Sequence, residues 1–273
     1  MTTNLKDLEK TANLLRRDIL NISYHGQVGH IGSALSVVDI ITTLYFHIAK
    51  LYPNKPNHPD RDRIILSKGH ACSALYSALY RRGYFSKKTL YTYHQNHSLL
   101  AGHPDILCPG VDASTGSLGH GLSLGIGMAL AAKLQKRNYQ VFVILSDGEC
   151  NEGSTWEAAL SAPQLKLNNL TTIIDYNKIQ AFGRTKDVID LEPFKQKWQS
   201  FGWRTLELNG HSLSQLTKAL NSPNRPSSKP TVIIAHTVLG KGVSFMENNL
   251  EWHYWTPTIK HFNQAMKELK SSL

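Results

Sequence analysis

The apolar positions of the chain follow two patterns, one typical of helices and one typical of buried strands. Within residues 5–24 they recur every three or four positions, which predicts an amphipathic helix: Leu5, Leu8, Ala12, Leu15, Ile19 and Ile22. Further helices are predicted over residues 36–49, 121–134, 155–164 and 213–220. Residues 51–62 are rich in Pro and Asn and predict a surface loop.

Short apolar runs between these helices predict the strands of a sheet. Four runs are strongly apolar, over residues 63–66, 141–145, 170–175 and 231–235, and a weaker one covers 204–208. Because strands alternate with helices, we predict an α/β fold in which a parallel sheet is covered by helices on both faces. No repeat, low-complexity tract or linker divides the chain, so we expect one domain over residues 1–273.

Composition and charge narrow the class of protein. The chain is 41% hydrophobic and 18% charged, as in ordinary globular proteins, and no apolar run approaches the roughly 18 residues of a membrane span. We expect no signal peptide, because the N-terminus lacks an apolar core. Three cysteines without metal-ligand or disulfide spacing favour a reduced, cytoplasmic protein: Cys72, Cys108 and Cys150.

The net charge of +10 raises the question of an anionic partner. Lysines and arginines are scattered, with neither a long basic run nor interleaved aromatic residues, so we expect no nucleic-acid partner. Two explanations stay open. The charge belongs either to a solvated basic surface or to a surface that steers anionic substrates such as sugar phosphates.

Oxygen-bearing side chains follow two of the predicted strands. Asp147 comes after the run 141–145, and Asn177 comes after the run 170–175. Ligands gather at the carboxyl ends of parallel strands, and Mg²⁺ or Ca²⁺ prefers hard oxygen ligands. We therefore predict a metal site formed by Asp147, Asn177 and the Ile179 carbonyl, completed by diphosphate oxygens and water. Gly148 would let the backbone approach a phosphate closely, near the start of the next helix.

This spacing resembles the Gly-Asp-Gly…Asn signature of thiamine diphosphate enzymes, with Ser146 in place of the usual first Gly. Other segments are similar to those of transketolases in particular, and they occur in order over about residues 25–255. They are residues 29–33 (GHIGS), 61–70 (RDRIILSKGH), 101–104 (AGHP), 114–121 (STGSLGHG), 240–248 (GKGVSFMEN) and 251–253 (EWH). The chain resembles the N-terminal, diphosphate-binding half of a split transketolase.

The resemblance implies roles for four histidines. His70 and His253 should contact the diphosphate of the cofactor. His30 and His103 should line the reaction channel and act as the catalytic histidines at substrate oxygens. Imidazole suits both tasks, because it can donate to phosphate oxygens and can move protons near neutral pH.

The resemblance also implies roles for two backbone segments and two acids. The backbone of Gly116 and Leu118 should hydrogen-bond the aminopyrimidine of thiamine diphosphate. Glu152 and Glu157 flank the start of the predicted helix 155–164. In the family, the matching glutamates form an acidic, water-linked network that joins paired active sites across an interface, so Glu152 is expected both near the cofactor and, with Glu157, at that interface.

Four departures from the family pattern leave the natural sugar open. Ile31 and Ser33 replace Pro and Gly, His120 replaces a frequent Gln, and the bulky pair 254–255 (YW) replaces smaller residues. His120 and the bulky pair are expected to reshape the reaction channel.

The resemblance implies an enzyme that needs a partner. A glutamate of a second, pyrimidine-binding domain promotes the chemistry of thiamine diphosphate, and we expect that domain on a separate C-terminal subunit. The complete enzyme should be a heterotetramer that moves a two-carbon ketol unit from a ketose phosphate to an aldose. The single chain should be inactive. The metal should be Mg²⁺ or Ca²⁺.

Alternative functions are compatible with the same sequence. The chain could belong to another thiamine diphosphate enzyme, such as a 2-oxo acid dehydrogenase or a deoxyxylulose phosphate synthase. It could also be a non-catalytic homologue built on the same fold. A nicotinamide-binding domain is disfavoured because residues 119–124 (GHGLSL) do not complete a G-x-G-x-x-G motif. A zinc hydrolase is disfavoured because no His-Glu-x-x-His segment occurs.

Overall fold

A five-stranded parallel sheet forms the centre of the computed structural model, which describes residues 4–221 and 228–271. In chain order the strands are β1 (Arg63–Leu66), β2 (Val141–Ser146), β3 (Leu170–Tyr176), β4 (Ile179–Gln180), β5 (Gly183–Arg184), β6 (Arg204–Asn209) and β7 (Thr231–His236). The sheet has the order β1-β2-β3-β7-β6, and β4 and β5 form a separate antiparallel hairpin.

Helices cover the sheet. In chain order they are α1 (Leu5–Gly26), α2 (Ile31–Ser36), α3 (Val38–Thr43), α4 (Cys72–Arg82), α5 (Lys87–Leu90), α6 (Gly121–Leu134), α7 (Gly153–Gln164), α8 (Thr185–Val188), α9 (Phe194–Ser200), α10 (Leu213–Leu220) and α11 (Ile259–Ser271). Short 3₁₀ turns lie at Gly69–Ala71, Gly148–Asn151 and Leu250–His253, and a π turn lies at Leu44–Ile48. Across residues 4–221 and 228–271, no helix has the length and apolar character needed to cross a membrane.

The two faces of the sheet pack into two separate apolar clusters. Along β2, Phe142 and Ile144 point to the cluster formed with α1 to α4, α10 and α11. Val143 and Leu145 point to the other cluster, formed with α6, α7 and α9. Successive side chains of a strand point to opposite faces, so a strand buried on both faces has to be apolar throughout. The prediction of a parallel sheet with helices on both faces is confirmed.

Most predicted elements have the expected position, but the second helix was predicted wrongly. Helical structure begins at Ile31 and not at residue 36, and it is interrupted after Ser36 before α3 begins. All six residues of α2 are buried, including Gly32 and Ser33. A helix that is buried on every side has no alternation of polar and apolar positions, so its start gave no periodic signal.

Candidate functional site

Asp147 and Asn177 follow the neighbouring strands β2 and β3 and hold the same turn. The Asp147 Oδ2 atom accepts a hydrogen bond from the backbone N–H of Lys178 at 2.8 Å. The Asn177 Oδ1 atom accepts one from the backbone N–H of Ile179 at 3.0 Å. Lys178 has a left-handed backbone, with φ of +67°. The predicted metal ligands are therefore gathered at one edge of the sheet, as the strand ends indicated.

The Asp147 carboxylate is buried and, among residues 4–221 and 228–271, forms no ion pair with a Lys or Arg. It accepts from the backbone N–H of Gly148 and from Thr185 Oγ1, both at 2.9 Å. Burial, together with the negative charge of Asp175, raises the pKa of Asp147 to about 6. An ionised carboxylate offers about four acceptor positions, so one remains for a metal ion.

The donor set suits a hard cation. Nowhere in the described part of the chain do three or more His, Cys, Asp or Glu side chains form a possible metal cluster. Any metal at this edge would therefore be held by one carboxylate, an amide oxygen, a backbone carbonyl and ligand oxygens, which is the set that Mg²⁺ or Ca²⁺ accepts. A cation would also supply the positive charge that buried Asp147 lacks.

Gly148 and the hairpin β4–β5 border this edge. A Cβ atom at position 148 would lie 3.0 Å from the Gln180 Cβ, so the backbone and the hairpin are in close contact. Asn151 donates to the Gln180 side chain at 3.5 Å. The Asn151 Oδ1 and Gln180 Nε2 atoms are buried without a hydrogen-bond partner in the described residues. Unpaired buried polar atoms fit a polar ligand bound beside them.

Three of the four predicted histidines form a compact cluster. The ring centroids of His30 and His70 are 5.2 Å apart, those of His30 and His253 are 5.3 Å apart, and those of His70 and His253 are 5.6 Å apart. His30 precedes α2 with a left-handed backbone, and its N–H donates to the His253 carbonyl at 3.0 Å. Two residues at opposite ends of the chain are thus joined directly.

The clustered imidazoles are held in the neutral form. Burial lowers the pKa of His253 to about 4, and repulsion from a protonated His30 and from Lys68 contributes. Burial and the charge of Lys68 also lower the pKa of His70 well below its usual value, and burial lowers that of His30. Neutral imidazole can donate from one ring nitrogen and accept at the other.

Two ring nitrogens of the cluster are available to a ligand. The Nδ1 atoms of His30 and His253 are buried and have no hydrogen-bond partner in the part of the chain that the structure describes. His70 differs, because its Nε2 atom lies 2.9 Å from Ser33 Oγ. Buried polar atoms are seldom left unpaired in proteins, so the two free nitrogens are consistent with a ligand site.

His103 lies at the exposed side of the same region. A Cβ atom at Gly116 would lie 2.9 Å from the His103 ring, so the loop and this histidine are in direct contact. The loop is tied to the end of β1 by Thr115, whose hydroxyl donates to the Leu66 carbonyl at 2.7 Å. Leu118 is half-buried in this loop. His103 is thus in contact with the loop that carries Gly116 and Leu118.

Glu152 and Glu157 are both exposed at the start of α7. Glu152 is the residue that precedes α7, and a Cβ atom at Gly119 would lie 2.8 Å from the Glu152 Cβ. Glu152 is therefore next to the loop that carries Gly116 and Leu118. Both carboxylates are open to a partner chain, which is compatible with the predicted interface.

The departures from the family pattern have different environments. Ile31 is completely buried, whereas Ser33 contacts His70 as described above. Tyr254 is 57% exposed, and its ring centroid lies 5.3 Å from that of His30 and 4.9 Å from that of His253. Tyr254 therefore lies beside the histidine cluster, and its effect on the reaction channel stays a prediction.

Sequence reasoning missed a buried polar network that connects the histidines with the strand ends. Lys68 and Asp175 form an ion pair in which neither side chain is exposed. Lys68 Nζ also donates to the Ser33 carbonyl at 3.2 Å, and Ser36 Oγ donates to Asp175 at 2.5 Å. Ser36 in turn lies 3.4 Å from the Asn177 Nδ2 atom. The available signal was a Lys and an Asp at the ends of apolar strands.

Glu149 was also missed. It is completely buried, and burial raises the pKa of its carboxyl to about 7. Hydrogen bonds from Ser67 Oγ and from the Gly119 N–H lower that pKa in part. In the sequence Glu149 stands among polar residues directly after a turn, where an acid is usually exposed, so no signal indicated its burial.

Comparison with known proteins agrees with this geometry. A family model described as "Transketolase, thiamine diphosphate binding domain" matches residues 7–266. The chain belongs to the transketolase family. It is 41% identical over 269 residues to one of the subunits of the apulose-4-phosphate transketolase of Phocaeicola vulgatus, and the match covers 98% of this chain and 96% of that relative. It is 38% identical over 265 residues to the SqwG subunit of the 6-deoxy-6-sulfo-D-fructose transketolase of a Clostridium species, covering 97% and 96%.

Solved transketolase structures show the same fold. The transketolase of Campylobacter jejuni superposes with a TM-score of 0.93 at 32% identity, and the match covers 98% of this chain but 43% of that chain. This chain therefore spans less than half the length of the Campylobacter transketolase. The matched family region is the thiamine diphosphate-binding domain, which confirms the predicted family, fold class and cofactor. The metal and the individual site residues stay predictions.

Proposed function

We propose that this chain is the cofactor-binding subunit of a two-chain transketolase. With a separate subunit that carries the pyrimidine-binding domain, it transfers a two-carbon ketol unit from a ketose phosphate to an aldose. The observation that carries the proposal is the match to the Phocaeicola vulgatus transketolase subunit over 96% of that relative and 98% of this chain. A relative named as a subunit, and matched almost from end to end, supports a partner for this chain.

The site residues support the same reaction. When bound, thiamine diphosphate supplies the nucleophilic carbon and the electron sink for two-carbon transfer. His70 and His253 would donate to its diphosphate oxygens, and the backbone of Gly116 and Leu118 would orient the aminopyrimidine. His30 and His103 would hold or move protons at the substrate oxygens, a role that suits the neutral imidazole of His30.

The metal, the assembly and the compartment complete the proposal. Asp147, Asn177 and the Ile179 carbonyl would hold Mg²⁺ or Ca²⁺ against the diphosphate, which the unpaired charge of Asp147 favours. Glu152 and Glu157 would face the interface of a heterotetramer with two copies of each subunit. The enzyme would work in the cytoplasm, in line with three buried cysteines that are all free.

The substrates would be anionic sugars. The relatives from Phocaeicola vulgatus and Clostridium are named for a sugar phosphate and a sulfo-sugar. The net charge of +10 suits either kind of substrate. No feature of the described residues favours the 2-oxo acid dehydrogenase or deoxyxylulose phosphate synthase alternatives.

The deciding experiment is a reconstitution assay. The purified chain would be mixed with thiamine diphosphate, Mg²⁺, a ketose phosphate donor and an aldose phosphate acceptor, with and without the separately purified partner. We expect two-carbon transfer only in the mixture of both chains. Transfer by the single chain would contradict the need for a partner, and failure of the mixture to transfer while it binds the cofactor would favour a non-catalytic homologue.

A further inference from the structure

A completely buried carboxylate lies behind the loop that carries Gly116 and Leu118. Glu149 Oε1 accepts hydrogen bonds from Ser67 Oγ and from the backbone N–H of Gly119, the latter at 2.9 Å. Glu149 Oε2 is 3.4 Å from the backbone N of Ser146. Three donors thus converge on the two oxygens of one side chain, Ser67 Oγ and the Gly119 N–H at Oε1 and the Ser146 N–H at Oε2.

Ser67 extends this arrangement to a second point on the loop. Because its hydroxyl hydrogen is donated to Glu149, its oxygen is free to accept, and it accepts the backbone N–H of Gly121 at 3.0 Å. The Glu149–Ser67 pair therefore binds two N–H groups, at Gly119 and at Gly121. Ser154 adds a third fixed point by donating to the Gly119 carbonyl at 3.0 Å.

The loop has no room for a side chain at Gly119 or at Gly121. A Cβ atom at Gly121 would overlap the Ser67 hydroxyl, and one at Gly119 would overlap Ser154 Oγ. Gly119 also has φ of +85°, which strongly favours glycine. The backbone at 119–121 is thus in contact with the side chains that bind it, so a change in those side chains moves the backbone directly.

We propose that Glu149 and Ser67 are a positioning pair that sets the loop of residues 116–121 for the aminopyrimidine of thiamine diphosphate. The pair acts from behind the loop, through the N–H groups of Gly119 and Gly121, and does not touch the cofactor. The inference rests on the proposed function, because it takes Gly116 and Leu118 as the groups that contact the aminopyrimidine. It adds a reason why an acid occupies this buried place: the two oxygens of its side chain accept all three donors.

Two variants and two controls test the pair. Ser67→Ala removes the acceptor for Gly121, and Glu149→Gln keeps the shape but brings an NH₂ group against the converging donors. Ser77→Ala is the control for a buried serine, since Ser77 Oγ donates to the Ser73 carbonyl within α4. Asp62→Asn is the control for a buried carboxylate, since Asp62 accepts the backbone N–H groups of Gln140 at 2.8 Å and of Lys50 at 2.7 Å.

The first measurement is amide hydrogen exchange on the full chain without cofactor. In Ser67→Ala and Glu149→Gln, exchange of residues 116–122 should become about tenfold faster, because each change leaves a buried donor without its acceptor. Exchange in β3 and in residues 141–145 of β2 should be unchanged, because Ser146 is itself one of the donors to Glu149. Neither control should alter residues 116–122. Unchanged exchange of this segment in both variants would overturn the proposal, whatever the enzyme does.

The second measurement compares binding of the whole cofactor with binding of its diphosphate end alone. On the complex with the partner subunit, affinities for thiamine diphosphate and for inorganic pyrophosphate are compared, each with Mg²⁺. The variants should bind thiamine diphosphate about tenfold more weakly and pyrophosphate as the wild type does, because only the first ligand uses the loop. Equal weakening of both ligands would overturn the positioning role. If the wild-type complex binds pyrophosphate but not thiamine diphosphate, the proposed function fails, while hydrogen exchange still decides whether the pair holds the loop.

Discussion

Lys68 and Asp175 form an ion pair from which solvent is completely excluded. Lys68 follows the end of β1, whereas Asp175 belongs to β3, two strands away in the sheet. Asp175 also accepts from Ser36 at 2.5 Å and from Thr237. The pair therefore joins the ends of β1, β3 and β7 to helix α2, on the side of the sheet where the histidines lie.

Breaking this pair should destabilise the protein strongly. Lys68→Met leaves the Asp175 charge buried and unpaired, so we expect the free energy of unfolding to fall by about 3–5 kcal/mol in urea titrations. The control is Arg137→Met, which breaks the exposed pair of Arg137 with Asp60 at 2.7 Å and should cost less than about 1 kcal/mol. A similar small loss in both variants would mean that Asp175 finds another partner.

Asp147→Ala should abolish the dependence of cofactor binding on metal. The variant removes the carboxylate predicted to hold the cation, so calorimetry should show thiamine diphosphate affinity reduced by more than about 100-fold and no response to Mg²⁺. Asp190→Ala, which removes an exposed acid farther along the chain, is the matched control. If Asp147→Ala retains Mg²⁺-dependent affinity, the metal lies elsewhere.

Substitutions of His103 and His70 should affect different quantities, turnover in the first case and cofactor binding in the second. His103→Ala should lower kcat of the reconstituted enzyme by roughly 100- to 10,000-fold with little effect on cofactor affinity, because a positioned proton donor or acceptor acts mainly in the transition state. His70→Ala should mainly weaken cofactor binding, since its ring lies in the buried cluster. Steady-state kinetics with calorimetry on both variants gives the comparison. Equal effects on affinity and turnover in both would refute this division.

His253 should make stability depend on pH. Its folded pKa is about 4, below the usual value of about 6.5, so between these values the unfolded chain holds a proton that the folded chain lacks. The free energy of unfolding should therefore decrease as the pH falls from 6.5 to 4. His253→Gln removes this contribution, and the variant should gain roughly 2–3 kcal/mol relative to wild type over that range.

Urea titrations at several pH values measure this difference directly. The unfolding free energy of the variant is compared with that of the wild type at each pH, because His30 and His70 also make stability decrease as the pH falls. Asp147 and Glu149 make stability increase as the pH falls, since their folded pKa values are raised. The exposed His25→Gln is the matched control. A His253→Gln curve parallel to that of the wild type would show that folding does not lower the pKa of His253.

The sequence was sufficient to predict the elements with strong periodicity and to predict which residues lie at the strand ends. α6 and α10 have the predicted bounds, and the residues predicted to bind a metal are adjacent because parallel strands end at one edge. The buried network was not predictable in this way. Lys68 and Asp175 are separated by 107 residues, and no local pattern distinguishes a buried charge from an exposed one. Glu149 is a similar case, since its burial depends on a loop contributed by other segments.

β7 is the last strand of the described chain, yet it lies between β3 and β6 in the sheet. β6 pairs with β7 alone, and β3 has β7 as its neighbour on one side. During synthesis, β6 therefore emerges with no strand to join, and one edge of β3 stays open until residues 231–236 have left the ribosome. Open edges of this kind are templates for aggregation. Production of this protein should consequently respond to chaperone supply and to growth temperature more than its small size would suggest.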